Sequence, residues 1–138
     1  MPYHIEPAAA FLGRLLMSAI FLHEAILKLI GYAATVAYMQ AFGVPGELLP
    51  LAIAFELGCG FLVAVGYQTR FAALLLSGFC VATALLFHAR LGDRRELLQF
   101  EKDLAIAGGF LVLFARGSGT FSIDALVRRK NRGTVAAA

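Results

Sequence analysis

The chain has 138 residues, of which 60% are hydrophobic and only 15% are charged, and its mean hydropathy is +0.79. Soluble domains usually lie near about 45–50% apolar and about 25% charged, so this composition excludes an ordinary soluble domain and indicates a membrane protein. The two cysteines do not form a CxxC pair, which excludes a zinc ribbon or a disulfide scaffold. The net charge of +3 is small and scattered, and it gives no support for binding nucleic acid.

Four apolar segments follow one another along the chain, and we interpret them as membrane-spanning helices. Their predicted bounds are residues 8–30, 48–66, 70–88 and 97–115. The clearest is the third, because Phe71 to Phe87 contains no charged residue. In the second, Pro50 suits the first helical turn and Gly66 suits the C-cap. Only residues 67–69 separate the second and third segments, so these two helices are predicted to form an antiparallel hairpin.

The predicted fold is all-α: a four-helix antiparallel transmembrane bundle with a short interfacial helix in the first outer loop. Helices are required because backbone in lipid must satisfy its own hydrogen bonds and the sequence shows no alternating strand pattern. In the first loop, one face of a short helix over about residues 33–42 carries Val36, Tyr38, Met39 and Phe42, and the helix ends at Gly43-Val44-Pro45. Residues 1–138 form a single membrane domain in this prediction.

Basic residues predict the orientation of the bundle. Seven of the twelve Lys and Arg residues lie on the side that holds both termini, with the densest group in the basic C-terminal tail, residues 117–138. We therefore predict a multi-pass protein of the cell inner (plasma) membrane with both termini cytoplasmic. The tail is expected to be solvated, with contact to anionic lipid as the alternative. No basic segment precedes the first apolar run, so we do not expect a cleaved signal peptide.

Several charged side chains fall within the predicted spans, where each costs on the order of 2.5–3.5 kcal/mol near the helix centre. Glu24 and Lys28 are four residues apart in the favourable order, so they are expected to pair on one helix face. Glu56 has no opposite charge within one turn of its own helix. It is expected to be protonated, hydrated, or paired across helices with Lys28, Lys102 or His88.

With a rise of about 1.5 Å per residue, six polar residues are predicted to lie in the outer half of the bundle and to converge on one pocket. They are Glu24, Lys28, Glu56, His88, Lys102 and Asp103. Two interpretations stay open: structural ion pairs that fix the helix register, or a functional site. Arg14, near the opposite end, is expected to snorkel to the headgroups.

Two further chemistries concern the histidine and cysteine residues. A haem between His23 and His88 is disfavoured, because their predicted depths differ by roughly 10 Å. Cys59 and Cys80 differ by only about 4.5 Å in depth, so a disulfide is geometrically allowed, although isolated cysteines on apolar faces are usually small hydrophobic residues. The sequence shows no metal-ligand spacing, and no metal site is predicted.

These residues resemble the DoxX family of small four-span membrane proteins, from about Gly13 to Asp124. The matching pieces are Gly13-Arg14, Phe21-Leu22, Lys28-Leu29, Tyr38, Gly43-Val44-Pro45, Glu56-Leu57-Gly58, Gly66, Thr69-Arg70, Phe87-His88, Glu101-Lys102, Leu104-Ala105, Gly117-Ser118-Gly119 and Ser122-Ile123-Asp124. Two positions depart from the family pattern: Ala25 stands where relatives often have glycine, and Asp103 where many have asparagine.

The resemblance implies several roles. Some relatives are similar to membrane subunits of thiosulfate:quinone oxidoreductases, and others are associated with complexes that contain sulfurtransferase and superoxide dismutase partners. More distant relatives have chaperone-like or assembly roles. As matching motif positions, only the polar cluster at Lys28, Glu56, His88 and Lys102 is carried over.

From these observations we expect a membrane subunit of a redox complex, whose outer pocket binds a quinone head group or a small anionic sulfur substrate. Glu56 and His88 are the expected catalytic groups that exchange protons. The expected substrate-binding residues are Lys28, Lys102, Glu24 and Asp103. No intrinsic cofactor is expected apart from quinone, and the expected partners are the lipid bilayer, redox-protein subunits and a second copy of the chain.

Two alternatives come from other classes of protein. The first is a non-enzymatic scaffold or assembly factor for partner membrane proteins, with purely structural ion pairs. The second is a proton or small-solute conduit, which is weaker because the sequence shows no inverted repeat or broken helix.

Overall fold

A computed structural model describes residues 5–136, and over that range the chain contains helices and no strand. The elements of the described part are α1 (Ile5–Ile30), α2 (Tyr32–Ala41), a 3₁₀ turn (Gly46–Leu48), α3 (Leu49–Val65), α4 (Thr69–Phe87), α5 (Arg94–Arg116) and α6 (Ile123–Ala136). The all-α prediction is therefore confirmed for these residues.

Within residues 5–136, three helical stretches are long and apolar enough to cross a membrane. They are Glu6–Ile30, Gly46–Val65 and Thr69–Phe87. The fourth predicted span falls inside α5, which does not meet the same measure because its first half is strongly polar. Glu101, Lys102 and Asp103 interrupt it, and only the twelve residues Leu104–Ala115 are uncharged.

The helices pack in two main pairs, α1 against α3 and α4 against α5, which the hairpin between α3 and α4 joins. The centre is apolar, with Val63, Leu76 and Phe110 completely buried. Large apolar side chains also face outward: Leu16 is 74% exposed and Leu51 68%. An apolar interior and an apolar exterior together are what a bundle surrounded by lipid requires.

The turn between α3 and α4 depends on glycine. Gly66 ends α3 with φ 72°, and its N–H donates to Leu62 O, as does the N–H of Tyr67, both at 3.0 Å. This left-handed C-cap confirms the C-cap predicted at Gly66. A Cβ at this position would also lie 2.7 Å from Nη1 of Arg14, so the close approach of α1 requires a residue without a side chain.

Helix α2 covers one end of the bundle, which we call the α2 end. The Met39 side chain is buried against Leu49 and Ile53 of α3, and the Tyr38 ring stacks on Phe87 of α4 with the ring centroids 5.6 Å apart. The helix stops at Ala41, close to its predicted end. Its position makes α2 a cover for the space between α1, α3 and α4.

The opposite end, which we call the α6 end, contains a helix that the sequence analysis does not predict. The hydroxyl of Ser122 accepts a hydrogen bond from the N–H of Ala125 at 3.1 Å, which caps the first turn of α6. Ala125 is buried against the bundle, whereas Arg128 and Arg132 are exposed. The basic tail is thus helical through Ala136, and its first turn is anchored to the protein.

Candidate functional site

A cavity of about 690 Å³ lies beneath α2 and between α1, α3, α4 and α5. Apolar and aromatic side chains form most of its wall. The polar residues in its lining are Glu24, Lys28, Thr35, Tyr38, Glu56, Thr83, His88, Gln99 and Asp103. A largely apolar cavity of this size with a few converging polar groups has the character of a small-molecule site.

The strongest polar contact in this cavity joins α1 to α3. Nζ of Lys28 lies 2.7 Å from Oε1 and 2.9 Å from Oε2 of Glu56, whose side chain is only 2% exposed. Glu24 adds a longer ion pair, with its Oε2 3.8 Å from the same Nζ. Of the alternatives left open for Glu56, the structure shows pairing across helices with Lys28, and the predicted pairing of Glu24 with Lys28 is confirmed. Because Glu56 is buried, its charge depends on Lys28 for compensation.

His88 reaches the cavity from the end of α4 and is held by a residue that the sequence analysis missed. Its Nδ1 lies 2.8 Å from Oε2 of Glu96, in the first turn of α5. Asp93 caps that turn by accepting from the N–H of Arg95 at 2.8 Å. The short connection between two antiparallel helices was the available signal, since it brings the end of α4 beside the start of α5. Within residues 5–136, no side chain bonds to Nε2 of His88, which leaves this atom available for a ligand or a proton.

Helix α5 contributes Asp103 and Gln99, which share one face because they are four residues apart. The Thr83 hydroxyl donates to Cys80 O at 3.0 Å and lies 3.5 Å from Oδ2 of Asp103. Lys102 does not join this group: it is exposed and is not part of the lining. The prediction that Lys102 converges on the pocket is therefore wrong. Adjacent residues of a helix point about 100° apart, so when Asp103 faces the cavity Lys102 faces away from it.

The histidine and cysteine alternatives have a clear structural outcome. His23 is exposed and lies outside the lining of the cavity that His88 enters. Cys59 and Cys80 are buried free thiols in the apolar core, so no disulfide joins them. Over the described residues 5–136, His, Cys, Asp and Glu side chains form no group of three or more that would hold a metal ion.

The α6 end holds a second buried charge. Arg14 is 2% exposed and donates to the backbone carbonyls of Ser118 and Phe121, the latter at 2.7 Å. The expectation that Arg14 snorkels to the headgroups is therefore wrong, because the segment after α5 folds back and supplies carbonyl acceptors. These contacts anchor residues 117–122 to α1.

Asp124 continues this network to the turn between α3 and α4. Its carboxylate accepts from the N–H of Gln68 at 2.9 Å and of Thr69 at 3.1 Å, and its own N–H donates to Gly66 O at 2.9 Å. Partial burial raises the pKa of Asp124, but the backbone hydrogen bonds from Thr69 and Gln68 outweigh this effect and lower the pKa below its ordinary value. An anion at the start of α4 also matches the positive end of that helix.

Together, the apolar exterior, the candidate spans and the buried polar groups define a helical integral membrane protein. A model of the DoxX family matches residues 9–89. The inner membrane protein YqjF of Escherichia coli (strain K12) is 42% identical over 126 residues, which cover 91% of this chain and 97% of that protein. The inner membrane protein YphA of the same organism is 30% identical over 126 residues, which cover 86% of this chain and 90% of that protein.

The chain therefore belongs to the DoxX family, which confirms the resemblance found in the sequence. No solved structure matches it. The family match contains Lys28, Glu56 and His88, whereas Gln99 and Asp103 lie beyond it on α5.

Proposed function

We propose that this protein is a four-span membrane subunit of a redox complex and that the cavity at the α2 end binds a quinone head group. The observation that carries the proposal is the ion pair between buried Glu56 and partly buried Lys28, in the wall of a cavity that is otherwise mainly apolar. Charged groups within a membrane-spanning bundle that face a cavity, rather than packed side chains, commonly mark a ligand site.

The chemistry of the cavity wall suits a quinone. Phe55 and Phe79 pack against each other with ring centroids 5.2 Å apart, and both line the cavity, so a flat ring can lie against aromatic faces. The Lys28 ammonium is a hydrogen-bond donor of the kind that quinone carbonyl oxygens accept. A bound quinone is reduced by taking up two electrons and two protons, and here a partner subunit must supply the electrons.

The charges in the lining favour a neutral ligand over an anionic one. Glu24, Glu56 and Asp103 carry three acidic groups into the cavity, against the single ammonium of Lys28 and the imidazole of His88. An anionic sulfur substrate would meet this acidic surplus, whereas a neutral quinone would not. Of the two substrates expected from the sequence, we therefore propose the quinone.

His88 and Glu96 offer a route for protons between the cavity and the surface. His88 lines the cavity, and its partner Glu96 has a side chain that is 28% exposed. An imidazole is the side chain best suited to exchange protons near neutral pH. In this proposal His88 and Glu56 serve the proton exchange. Lys28 holds the head group, and its two contacts with Glu56 keep the ammonium in place for that role.

The proposed topology makes α5 the fourth span and places both termini in the cytoplasm, with α2 at the outer membrane surface. Leu104–Ala115 supply apolar length, and Asp103 turns into the cavity rather than toward lipid. The basic residues of α6 then lie on the cytoplasmic side, in line with the positive-inside rule. The family membership and the two inner membrane relatives support the location.

A scaffold or assembly role is the second candidate, and a specific feature favours it. Gly58, Gly78 and Gly108 are exposed on α3, α4 and α5, and a Cβ at any of them would meet open space. Such positions allow another transmembrane helix to approach closely. A conduit has less support, because the fully buried Val63 and Leu76 belong to a packed apolar core among these helices.

The test is to identify small molecules bound to the protein after purification in mild detergent. We expect the wild-type protein to carry a quinone, and Glu56→Gln to lose it while staying folded. Glu101→Gln is the matched control, since Glu101 is exposed and outside the cavity lining. The proposal is overturned if Glu56→Gln retains as much quinone as the wild-type protein, or if the wild-type protein neither carries nor takes up added quinone. An empty wild-type bundle that co-purifies with a large membrane partner would instead support the scaffold role.

A further inference from the structure

A second cavity, of about 650 Å³, lies at the α6 end between the start of α1, the end of α3 and the start of α6. Apolar groups form most of its wall, including Phe11, Val65 and Leu126. Arg129 also lines it. This cavity, which we call the α6 groove, is separate from the quinone site proposed above and shares no lining residue with it.

The depth of the α6 groove follows from the helices that form it. The candidate span in α1 begins at Glu6, and the one in α3 ends at Val65, so the groove lies where two candidate spans meet the membrane surface. At this depth the neighbouring molecules are phospholipids, whose headgroups and first acyl carbons lie side by side. An apolar groove with a cation in its lining matches both parts of such a molecule.

The groove contains one cation, Arg129, that lies without a carboxylate partner in the described part of the chain. Within residues 5–136, no carboxylate forms an ion pair with Arg129, and the neighbouring Arg128 is exposed in the same way. Arg14 also lines the groove, although its side chain is only 2% exposed. In the described part of the chain it forms no ion pair within 4 Å, and its Nε has no hydrogen-bond partner. Asp124 interacts electrostatically with Arg14 and offsets part of its charge, so the positive potential of the groove rests mainly on Arg129.

The wall of the groove is also held in place. Through its bonds to the carbonyls of Ser118 and Phe121, Arg14 fixes the segment that carries Thr120 and Phe121 into the lining. The Phe11 and Phe121 rings pack edge to face with centroids 6.3 Å apart. The groove is thus formed by anchored backbone and is not a gap between loosely placed side chains.

From this arrangement we infer that the α6 groove binds one anionic phospholipid, with the phosphate at Arg129 and an acyl chain along Phe11, Val65 and Leu126. A free anion would gain nothing from the apolar wall, and a zwitterionic lipid would gain less from the positive charge of Arg129. The inference requires only that the protein is embedded in a bilayer, and it stands or falls independently of the quinone site.

The headgroup contact is tested with two adjacent arginines on α6. The purified protein is mixed with phosphatidylglycerol or phosphatidylcholine, and retained lipid is counted by native mass spectrometry. We expect one phosphatidylglycerol retained in preference to phosphatidylcholine, about a tenfold loss in Arg129→Gln, and little change in Arg128→Gln. Arg128 does not line the groove, so a general attraction to anionic lipid would weaken equally in both variants. Equal loss in both, or no preference between the two lipids, would overturn the inference.

The acyl-chain contact is tested with a second matched pair. Leu126 and Val127 are both exposed, at 62% and 45%, but only Leu126 lines the groove. We expect Leu126→Gln to reduce retention of phosphatidylglycerol and Val127→Gln to leave it nearly unchanged, with unfolding temperatures of both close to the wild-type value. Glycerophosphoglycerol, the same headgroup without acyl chains, should compete poorly. Competition as strong as that of the intact lipid would show that the apolar wall plays no part.

Discussion

The two ends of the bundle each bury a charged residue to the same extent, but they treat it differently. Glu56 at the α2 end and Arg14 at the α6 end are both 2% exposed. Glu56 is matched by the side chain of Lys28 beside a cavity, whereas Arg14 is matched by backbone carbonyls of a packed segment. Burial alone therefore does not mark a functional site. What distinguishes the α2 end is that another side chain, Lys28, holds the buried charge, whereas backbone carbonyls hold Arg14 beside the α6 groove.

The largest effect is expected from Lys28→Met, which leaves Glu56 buried without its cation. Breaking a buried ion pair by removing one partner typically costs about 3–5 kcal/mol. The double variant Lys28→Met/Glu56→Met should recover most of that stability, because no unpaired charge remains. Thermal unfolding in detergent measures both. A single variant as stable as the wild-type protein, or a double variant no more stable than the single, would show that the pair is not coupled.

At the α6 end, Arg14→Met should also destabilise the protein, by about 2–4 kcal/mol, because the buried carbonyl of Ser118 and the partly buried carbonyl of Phe121 lose their donor. Lys28→Met should lose bound quinone, because Lys28 is proposed to hold the head group. Arg14→Met should instead leave the amount of quinone per folded protein unchanged. Arg116→Met is the control: its side chain is 78% exposed, and its ion pair with Glu6 spans 3.6 Å at the surface, so little stability should be lost. Loss of bound quinone in folded Arg14→Met would contradict the separation of the two ends.

A smaller effect is expected from Gly66→Ala, about 1–3 kcal/mol of destabilisation. The residue has φ 72°, and a new Cβ would approach Arg14 and Ser122. Gly78→Ala makes the same chemical change inside α4, where the new Cβ meets open space, and it should be neutral or slightly stabilising. Similar unfolding temperatures for the two variants would mean that the tight turn does not require glycine.

Asp124→Asn should have the smallest effect and a distinctive pH dependence. Because hydrogen bonds lower the pKa of Asp124 in the folded protein, its contribution to stability is present above the ordinary aspartate pKa of about 3.9 and is lost as the pH falls through the folded value. At neutral pH the variant should be about 1 kcal/mol less stable than the wild-type protein. The unfolding temperatures of the variant and the wild-type protein should therefore converge as the pH is lowered from neutral to acidic values. A difference that stays constant over that range would show that the carboxylate charge is not responsible.

The sequence was sufficient to predict those elements that depend only on neighbouring residues. Apolar length indicated the three candidate spans, and the glycine at residue 66 indicated where α3 ends. The sequence also indicated that Glu56 has no partner on its own helix, but it left protonation, hydration and three cationic partners open, and the structure selects Lys28.

Other features depend on helix rotation and on chain segments that fold back, which one sequence does not determine. Lys102 and Asp103 were both expected in the cavity, but the rotation of α5 presents Asp103 there together with Gln99, which was not predicted, and turns Lys102 away. Arg14 was expected at the headgroups. Its actual contacts could not be predicted, because the acceptors are backbone carbonyls more than one hundred residues away, which no side-chain type indicates. Glu96 was missed for a similar reason, since its role depends on the loop that joins α4 to α5.

The most direct test of the proposed quinone site is to fill the cavity without changing its charge. Ala52 lines the cavity, whereas Ala54, two residues further along α3, is exposed and does not. A short-chain quinone is titrated calorimetrically into the detergent-solubilised wild-type protein, Ala52→Phe and Ala54→Phe, each verified as folded by circular dichroism. We expect saturable binding of one quinone per chain in the wild-type protein and in Ala54→Phe, and none in Ala52→Phe. Equal binding by all three proteins, or no binding by the wild-type protein, would contradict a quinone site beneath α2.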